Sequence, residues 1–533
     1  MAKRVRNTQL NGQRRGLING ALLLSLSALI AKVLSAVYRI PLQNLVGNTG
    51  FYVYQQVYPL YGIAMTFALS GLPVFISKLI AEISDPVTQR AVAKRIFVIL
   101  AGLSVVLFIG LFIGAKQIAI GMGDGDLASL IRVVAGMALF MPELAVGRGF
   151  AQGRFNMRPT AISQVLEQVI RVAVIIIVAV LAAQQQWSVY KMGAWAMSGA
   201  IFGAIAATAT FIPFYQRLFQ MPEHVSLSAD YRWWTLARRL WQEGGTICLF
   251  AAVVLLLQLV DSFTVKKGLV DAGMTQAAAK SLKGVYDRAQ PLIQLGLVVA
   301  TSFSATLLPT LSEALNGKER RAYQTTLTTL IHMSFALSVG ATAGLVILMP
   351  VINLVLFGSM SGSLALAIYC LSIIFASLIS TYNSILQSMN QYRLSLVALV
   401  VGVVMKIATN HAAVLAWGIN GASWATVLGL ASMMIVLWWG SPDDMREALT
   451  HRRFVPRLAV ATGAMVVVTG IVGNGLLLLL GDGRLTAIVI VTVGVISGLA
   501  TFIVTALRVH LFTTREWLTL PGGRRLLKLI QRD

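Results

Sequence analysis

Fourteen long apolar runs restrict this chain more than any other feature. They lie near 17–40, 51–77, 96–115, 128–147, 160–183, 192–215, 244–265, 282–308, 324–356, 363–388, 394–415, 418–439, 456–480 and 484–507. Each approaches or exceeds the ~20 residues a helix needs to cross the ~30 Å hydrocarbon core of a bilayer. A helix also satisfies its backbone N–H and C=O groups internally, which lipid demands of any crossing segment. The composition agrees, with 57% of 533 residues hydrophobic, 12% charged and a mean hydropathy of +0.77. Those values exclude a soluble multidomain enzyme, a disordered protein and a coiled coil. The first run reads as a crossing and not as a cleaved leader, because it is long, holds Lys32 and precedes thirteen others. Cys248 and Cys370 fall inside apolar runs and read as small buried hydrophobes, with no disulfide or metal spacing.

The net charge is +23, from 43 Lys and Arg against 20 Asp and Glu. In a membrane chain the first test of such an excess is its sidedness. With the N-terminus inside, inner segments hold thirty of the 43 and outer segments about eight. That asymmetry predicts both termini on the cytoplasmic side of a cell membrane and accounts for most of the charge without nucleic acid. The exception is the outer loop after run 7, with Lys266, Lys267, Lys280, Lys283 and Arg288, which on this reading lines the exit of a path for an anion.

No segment outside the runs is long enough for a catalytic domain, and no Walker A loop, HExxH or dinucleotide-binding glycine pattern is present. An enzyme is therefore not expected. Stretch 216–243, with Trp233, Trp234 and Trp241 among arginines, reads as an interfacial helix, and the basic tail 509–533 reads similarly. Weak matches recur at an offset of 229–235: Gly16 with Gly245, Pro59-Leu60 with Pro291-Leu292, Glu82 with Glu313, Gln152 with Gln387, Arg158 with Arg393. Six runs separate equivalent positions, so both copies enter the membrane in one orientation. The expected organisation is a basic tail 1–16, a six-helix lobe 17–217, a linker 218–243, a second six-helix lobe 244–440, two further spans in 455–508, and the tail.

Ionisable residues inside the runs are the candidate site, because each costs at least about 2–3 kcal/mol at the bilayer centre. They are Lys32 and Arg39 in run 1, Glu167 and Arg171 in run 5, Asp261 in run 7, Lys283, Asp287 and Arg288 opening run 8, and Lys406 with Asn410 in run 11. Arg39, Arg132 and Arg288 lie near run ends, where snorkelling is the bland reading. Glu167 and Arg171, at i,i+4, read equally as a self-satisfied pair. Lys32 and Lys406 sit deepest. The repeat puts Asp261 where Lys32 stands, and a pairing of Asp261 with either Lys32 or Lys406 stays open. His332 reads as a satisfied core residue, and Phe51, Tyr52, Tyr54, Tyr58 and Tyr61 read as an interfacial belt. Cations outnumber anions in the set, which suits a phosphate-bearing ligand.

Several stretches carry a family likeness: GLINGALLLSLSALIAKVLSAVYRIP at 16–41, GLPVFISKLIAE at 71–82, RGFAQGRFNMRPTAISQVLEQVIRV at 148–172 and KGVYDRAQPLIQLG at 283–296. They resemble the polysaccharide-transport proteins of the MOP exporter superfamily, nearest to the Gram-positive MurJ-type lipid II flippases and their sporulation-protein relatives. The resemblance implies an all-α membrane protein, two six-helix lobes in a V around a central cationic cavity plus two C-terminal helices. It implies a flippase carrying an undecaprenyl-pyrophosphate-linked cell-wall precursor, lipid II first, outward by alternating access. Capsule or teichoic-acid units are the alternative cargo; a multidrug exporter and a non-transporting scaffold are the remaining rivals. The substrate-binding set is then Lys32, Arg39, Arg171, Lys283, Arg288 and Lys406, and Asp261, Asn410 and Glu167 form an ion-coupling or internal salt-bridge set. Some members carry an arginine within span 2; none stands between Phe51 and Ser77 here. Some hold sodium with ligands from spans 7, 11 and 12. Asp261 and Asn410 fit, but Lys406 stands one turn from Asn410, so its ammonium is expected to replace the ion. No metal or cofactor is expected. Membrane potential, Na+ or H+ are the candidate coupling forces, and membrane lipids and cell-wall synthesis proteins the candidate partners.

Overall fold

The computed structural model describes residues 20, 23–220, 228–317, 319–389, 391–450, 453–481 and 483–519. The N-terminal stretch 1–16, part of the linker and the tail beyond 519 lie outside the described residues. All regular structure among the described residues is helical, with no strand. Ten helices are long and apolar enough to cross a membrane, and a pair bent by 68°, Trp233–Ala251 and Val253–Asp271, makes an eleventh.

Two of the ten are too long to be single crossings. Leu23–Ala81 has 59 residues and Tyr392–Gly440 has 49; at ~1.5 Å per residue even the shorter would reach roughly 70 Å. Both reverse direction. In the first, Gly47 adopts φ 68° and ψ −176°, a region that the Cβ of other residues closes. The hydroxyls of Tyr38 and Tyr54 then meet at 2.9 Å, where a straight helix would hold them about 24 Å apart. In the second the break is at Trp417 and Gly418, the glycine at φ 56° and ψ −136°. Across it Lys406 reaches the Ala422 carbonyl at 3.1 Å and the Thr426 hydroxyl at 2.6 Å. Each long element is an antiparallel helical hairpin. With the helix Ala289–Asn316, the described part of every apolar run read from the sequence is helical in the main.

The chain divides into two compact units, Met1–Asp287 and Arg288–Asp533. The division falls inside run 8, and the linker 218–243, where the sequence reading puts the lobe boundary, lies within the first unit. The reason is a long seam. The arm of Arg39–Thr66 after Gly47, with its continuation Leu72–Ala81, runs antiparallel to the bent pair Trp233–Asp271. Gly62 faces Leu255, Gly71 faces Cys248 and Gly244 faces Phe75. Gln56 donates to the Ser262 carbonyl at 2.5 Å. The next helix, Gln276–Asp287, brings Gly284 onto the backbone of Asn48. Small residues permit this approach, and dispersion and hydrogen bonds hold it in the absence of a hydrophobic drive within lipid.

The seam yields a stability prediction. Gly284→Val drives a side chain into the Asn48 backbone and costs about 1–3 kcal/mol or more. Gly102→Val, where a side chain meets open space, leaves stability unchanged. Recovery of folded protein in detergent after graded heating distinguishes them.

Candidate functional site

Two buried arginines of the first unit, Arg39 and Arg171, make no ion pair among the described residues. Arg39 is fully buried. Its guanidinium lies 4.2 Å from the Tyr58 ring centre and 5.9 Å from that of Tyr38, and among the described residues none of its three nitrogens makes a hydrogen bond of good geometry. Arg171, on the helix Met157–Gln184, donates to the Tyr61 hydroxyl at 3.0 Å, to Ser35 at 3.2 Å and to Gln168. Its guanidinium is 5.4 Å from the Tyr38 ring centre and 5.2 Å from that of Tyr61. Tyr38, Tyr54, Tyr58 and Tyr61 form a continuous chain of ring contacts. Ring quadrupoles thus lie against both cations, and hydroxyls solvate Arg171 as well. This overturns the belt reading. Phe51, Tyr52, Tyr54, Tyr58 and Tyr61 are buried, because these rings pack into the protein, several of them against the two arginines.

Glu167 does not pair with Arg171. Its carboxylate takes Arg148 at 2.6 Å, with both side chains buried. Arg148 also donates to Ser163 at 2.9 Å. The helix Met141–Gly153 carries Arg148 inward. Sequence reading counted it among loop arginines, because partners from different helices leave no spacing signal.

Lys32, deep in run 1, is exposed and makes no hydrogen bond or ion pair among the described residues. Facing hydrocarbon, such an ammonium would cost several kcal/mol, so the position favours a polar surrounding.

Three of the four lysines after run 7, Lys266, Lys280 and Lys283, are internal ties. Lys280 pairs with Asp124 at 2.9 Å, and Asp124, nearly buried, also accepts from Tyr52 at 3.2 Å and Tyr190 at 2.9 Å. Lys266 donates to the Gly123 carbonyl at 2.5 Å and to Gln276. Lys283 pairs with Asp287 at 2.5 Å. Asp124 escaped the sequence reading, although the acidic GDGD loop at 123–126 was a visible signal. Asp261, buried, accepts from Tyr286 at 2.9 Å.

In the second unit, Arg288 donates to Asn353 at 3.2 Å and lies 5.2 Å from the Phe357 ring centre. Lys406 is fully buried between the arms of its hairpin, its ammonium on one carbonyl and one hydroxyl oxygen, and Asn410 is buried one turn on. Among the described residues no group of His, Cys, Asp and Glu converges as a metal site. The structure therefore assembles Arg39 and Arg171 in one tyrosine-walled cluster, gives Glu167 and Lys283 their own counter-ions, and places Arg288, Lys406 and Asn410 in the other unit.

The Arg148–Glu167 pair is structural, which predicts its mutational signature. Either single change, Arg148→Ala or Glu167→Ala, leaves a buried uncompensated charge and costs about 3–5 kcal/mol. The double change Arg148→Met with Glu167→Leu recovers most of that. Thermal unfolding in detergent measures all three.

Comparison with known proteins fits this arrangement. Residues 17–315, over half the chain, match the family model described as "Polysaccharide biosynthesis protein". The membrane protein YabM of Bacillus subtilis is 35% identical over 98% of this chain and 98% of its own length. The lipid II flippase MurJ of the same organism is 25% identical over 95% of this chain and 98% of its own. Among solved structures, an inward closed conformation of lipid II flippase MurJ superposes with a TM-score of 0.66 at 14% identity, covering 91% of this chain and 99% of that one. An inward-facing multidrug resistance MATE family transporter of the MOP superfamily gives 0.62 at 16% identity, covering 79% and 96%. The structural likenesses carry the fold; the sequence matches carry the kinship. This chain is a multi-pass, all-helical membrane protein of MurJ/MATE-type fold and belongs to the polysaccharide biosynthesis protein family.

Proposed function

We propose that this protein moves an undecaprenyl-pyrophosphate-linked cell-wall precursor, lipid II first among them, from the inner to the outer leaflet. The observation that carries this reading is the pair of buried guanidiniums, Arg39 and Arg171, that make no ion pair among the described residues. Burying two such charges is expensive, and a pyrophosphate group repays it with charge-assisted hydrogen bonds of about 1.5–3 kcal/mol each. Lys32, exposed in the same first hairpin, suits the approach to them. Arg288 and Lys406 belong to the same proposed set in the second unit. Lys283 contributes less, since Asp287 balances it.

The named activity of the MurJ relative supports the cargo, and the family description keeps another lipid-linked oligosaccharide, such as a capsule or teichoic-acid unit, as the second reading. Both cargoes present the same pyrophosphate and lipid. A multidrug exporter of organic cations would call for an acidic site, and the site here is basic. Transport proceeds by alternating access, with the two six-helix halves of the chain as moving parts. With the arginine-rich loops inside, an inside-negative potential drives an anion outward by about 2.3 kcal/mol per charge per 100 mV. Lys406 supplies a fixed cation on carbonyl and hydroxyl oxygens of the kind that otherwise draws sodium, so coupling to sodium is not needed.

Two outcomes test this. In cells depleted of the native protein, a membrane-impermeant probe should find outer-leaflet lipid II restored by the wild type. Arg39→Ala and Lys32→Ala should lower that restoration about tenfold, the equivalent of one charge-assisted hydrogen bond, and Lys32→Arg should retain it. Unchanged restoration by the alanine variants would remove the cationic path. Secondly, wild-type transport should be indifferent to replacing sodium by potassium, and Lys406→Ala should become sodium-dependent. Sodium dependence in the wild type would overturn the fixed-cation role.

A further inference from the structure

The second unit carries a polar pocket of about 710 Å3 that the transport proposal does not use. Four elements wall it: the start of the helix Arg320–Ile347, the short helix Asp443–Thr450, the start of Phe454–Leu480, and the segment from His510 to Glu516. Its floor is His332. Nε2 of that ring meets the Ala448 carbonyl at 2.7 Å and Nδ1 meets Glu516 Oε1 at 3.0 Å. The ring stacks on Phe454 with centroids 3.7 Å apart and planes 3° apart.

The partners determine the protons. A carbonyl only accepts, so Nε2 carries a hydrogen. Glu516 Oε2 already accepts from the Thr513 N–H at 2.7 Å and hydroxyl at 2.9 Å, and the Glu516 N–H returns to Thr513 Oγ1 at 3.3 Å. This is the reciprocal capping box of a helix start. Burial pushes the Glu516 carboxyl up, but the bonds from His332 and Thr513 prevail and hold it below the ordinary range. As a carboxylate it only accepts, so Nδ1 carries a hydrogen as well and the ring is an imidazolium. The same segment buries Leu511, Phe512 and Trp517 against Met333, Ala336, Phe454 and Leu458. Arg457 adds a bond to the His510 carbonyl at 2.9 Å.

We infer that the segment Leu511–Thr519 is a proton-controlled latch, pinned to the helix Arg320–Ile347 while His332 is charged and released when it is neutral. On losing its Nδ1 hydrogen the ring turns a lone pair toward a carboxylate at 3.0 Å, and attraction becomes repulsion. The other charged groups facing the pocket are Arg321 on the His332 helix, Asp444 and Glu447 on the short helix, Arg457 on the next, and His510 on the segment itself. Asp444 is held by Gln324 at 3.1 Å. Among the described residues, the charge that meets the His332 ring directly is Glu516. The sign on the acid side is opposite: the depressed Glu516 contributes stability present above its unfolded value and lost as pH falls through its folded value. Docking is therefore weakened on the acid side as well.

Hydrogen exchange of the purified full-length protein tests this. The readout is the protection of residues 511–519, corrected for intrinsic exchange, between about pH 5 and 9, the range in which imidazole titrates. In the wild type, protection should fall on the alkaline side, by up to about tenfold per pH unit, the limiting slope of one linked proton. His332→Gln should abolish the step and leave the segment weakly protected, whereas His510→Gln should keep the wild-type profile. A flat wild-type profile, a step that survives His332→Gln, or one lost with His510→Gln would each overturn the latch. The wild-type profile alone decides if a variant fails to fold.

Discussion

Charge inside a low-dielectric slab is the constraint on which this structure depends. Every ionisable group in the interior must be paired, solvated by dipoles or reserved for a ligand. Arg148 with Glu167, Lys280 with Asp124 and Lys283 with Asp287 take the first course. Lys406 takes the second, with oxygens from the opposite arm of its hairpin. Arg39 and Arg171 lie against tyrosine rings and make no ion pair among the described residues. Sorting the charges this way separates the groups that hold the fold from those that the proposed function assigns to a substrate, which composition alone cannot do.

The same constraint shapes the backbone. Gly47 and Gly418 turn two over-long helices back on themselves in conformations that only glycine tolerates. The turns bring Tyr38 to Tyr54 and Lys406 to Thr426, so the hairpins create the sites as well as the crossings. Along the first unit, Gly62, Gly71, Gly244 and Gly284 allow helices to touch at backbone distance. That contact binds the bent pair and the helix Gln276–Asp287 to the N-terminal helices, and so sets the edge of the unit at Asp287.

Much of this was legible in the sequence. Apolar run length located the helices, since a crossing segment has one length scale and one permitted secondary structure. The depth of Lys32, Arg171, Asp261 and Lys406 within their runs marked them as unusual, Arg39 at a run end was open to a bland reading, and the stretches at 16–41 and 283–296 pointed to the family. What was not legible was partnership. The i,i+4 spacing offered Arg171 to Glu167, but the preceding helix supplies Arg148, 19 residues away. The lysines after run 7 looked like a lining until Asp124 and the Gly123 carbonyl met them. The tyrosines looked interfacial because aromatic composition is the same at a membrane surface and around a buried cation. His332, read as a satisfied core residue, is satisfied by Glu516, 184 residues away.

The central claim is that a cationic, tyrosine-walled cluster serves passage of a lipid-linked pyrophosphate. The most direct measurement uses purified protein in sealed vesicles containing fluorescent undecaprenyl-pyrophosphate-linked sugar, with an impermeant quencher or enzyme reporting the leaflet. The account predicts protein-dependent translocation that accelerates under a potential negative on the side of origin and fails with Arg39→Ala. Translocation that is unaffected by that change, or absent from wild-type vesicles with correctly oriented folded protein, would contradict it.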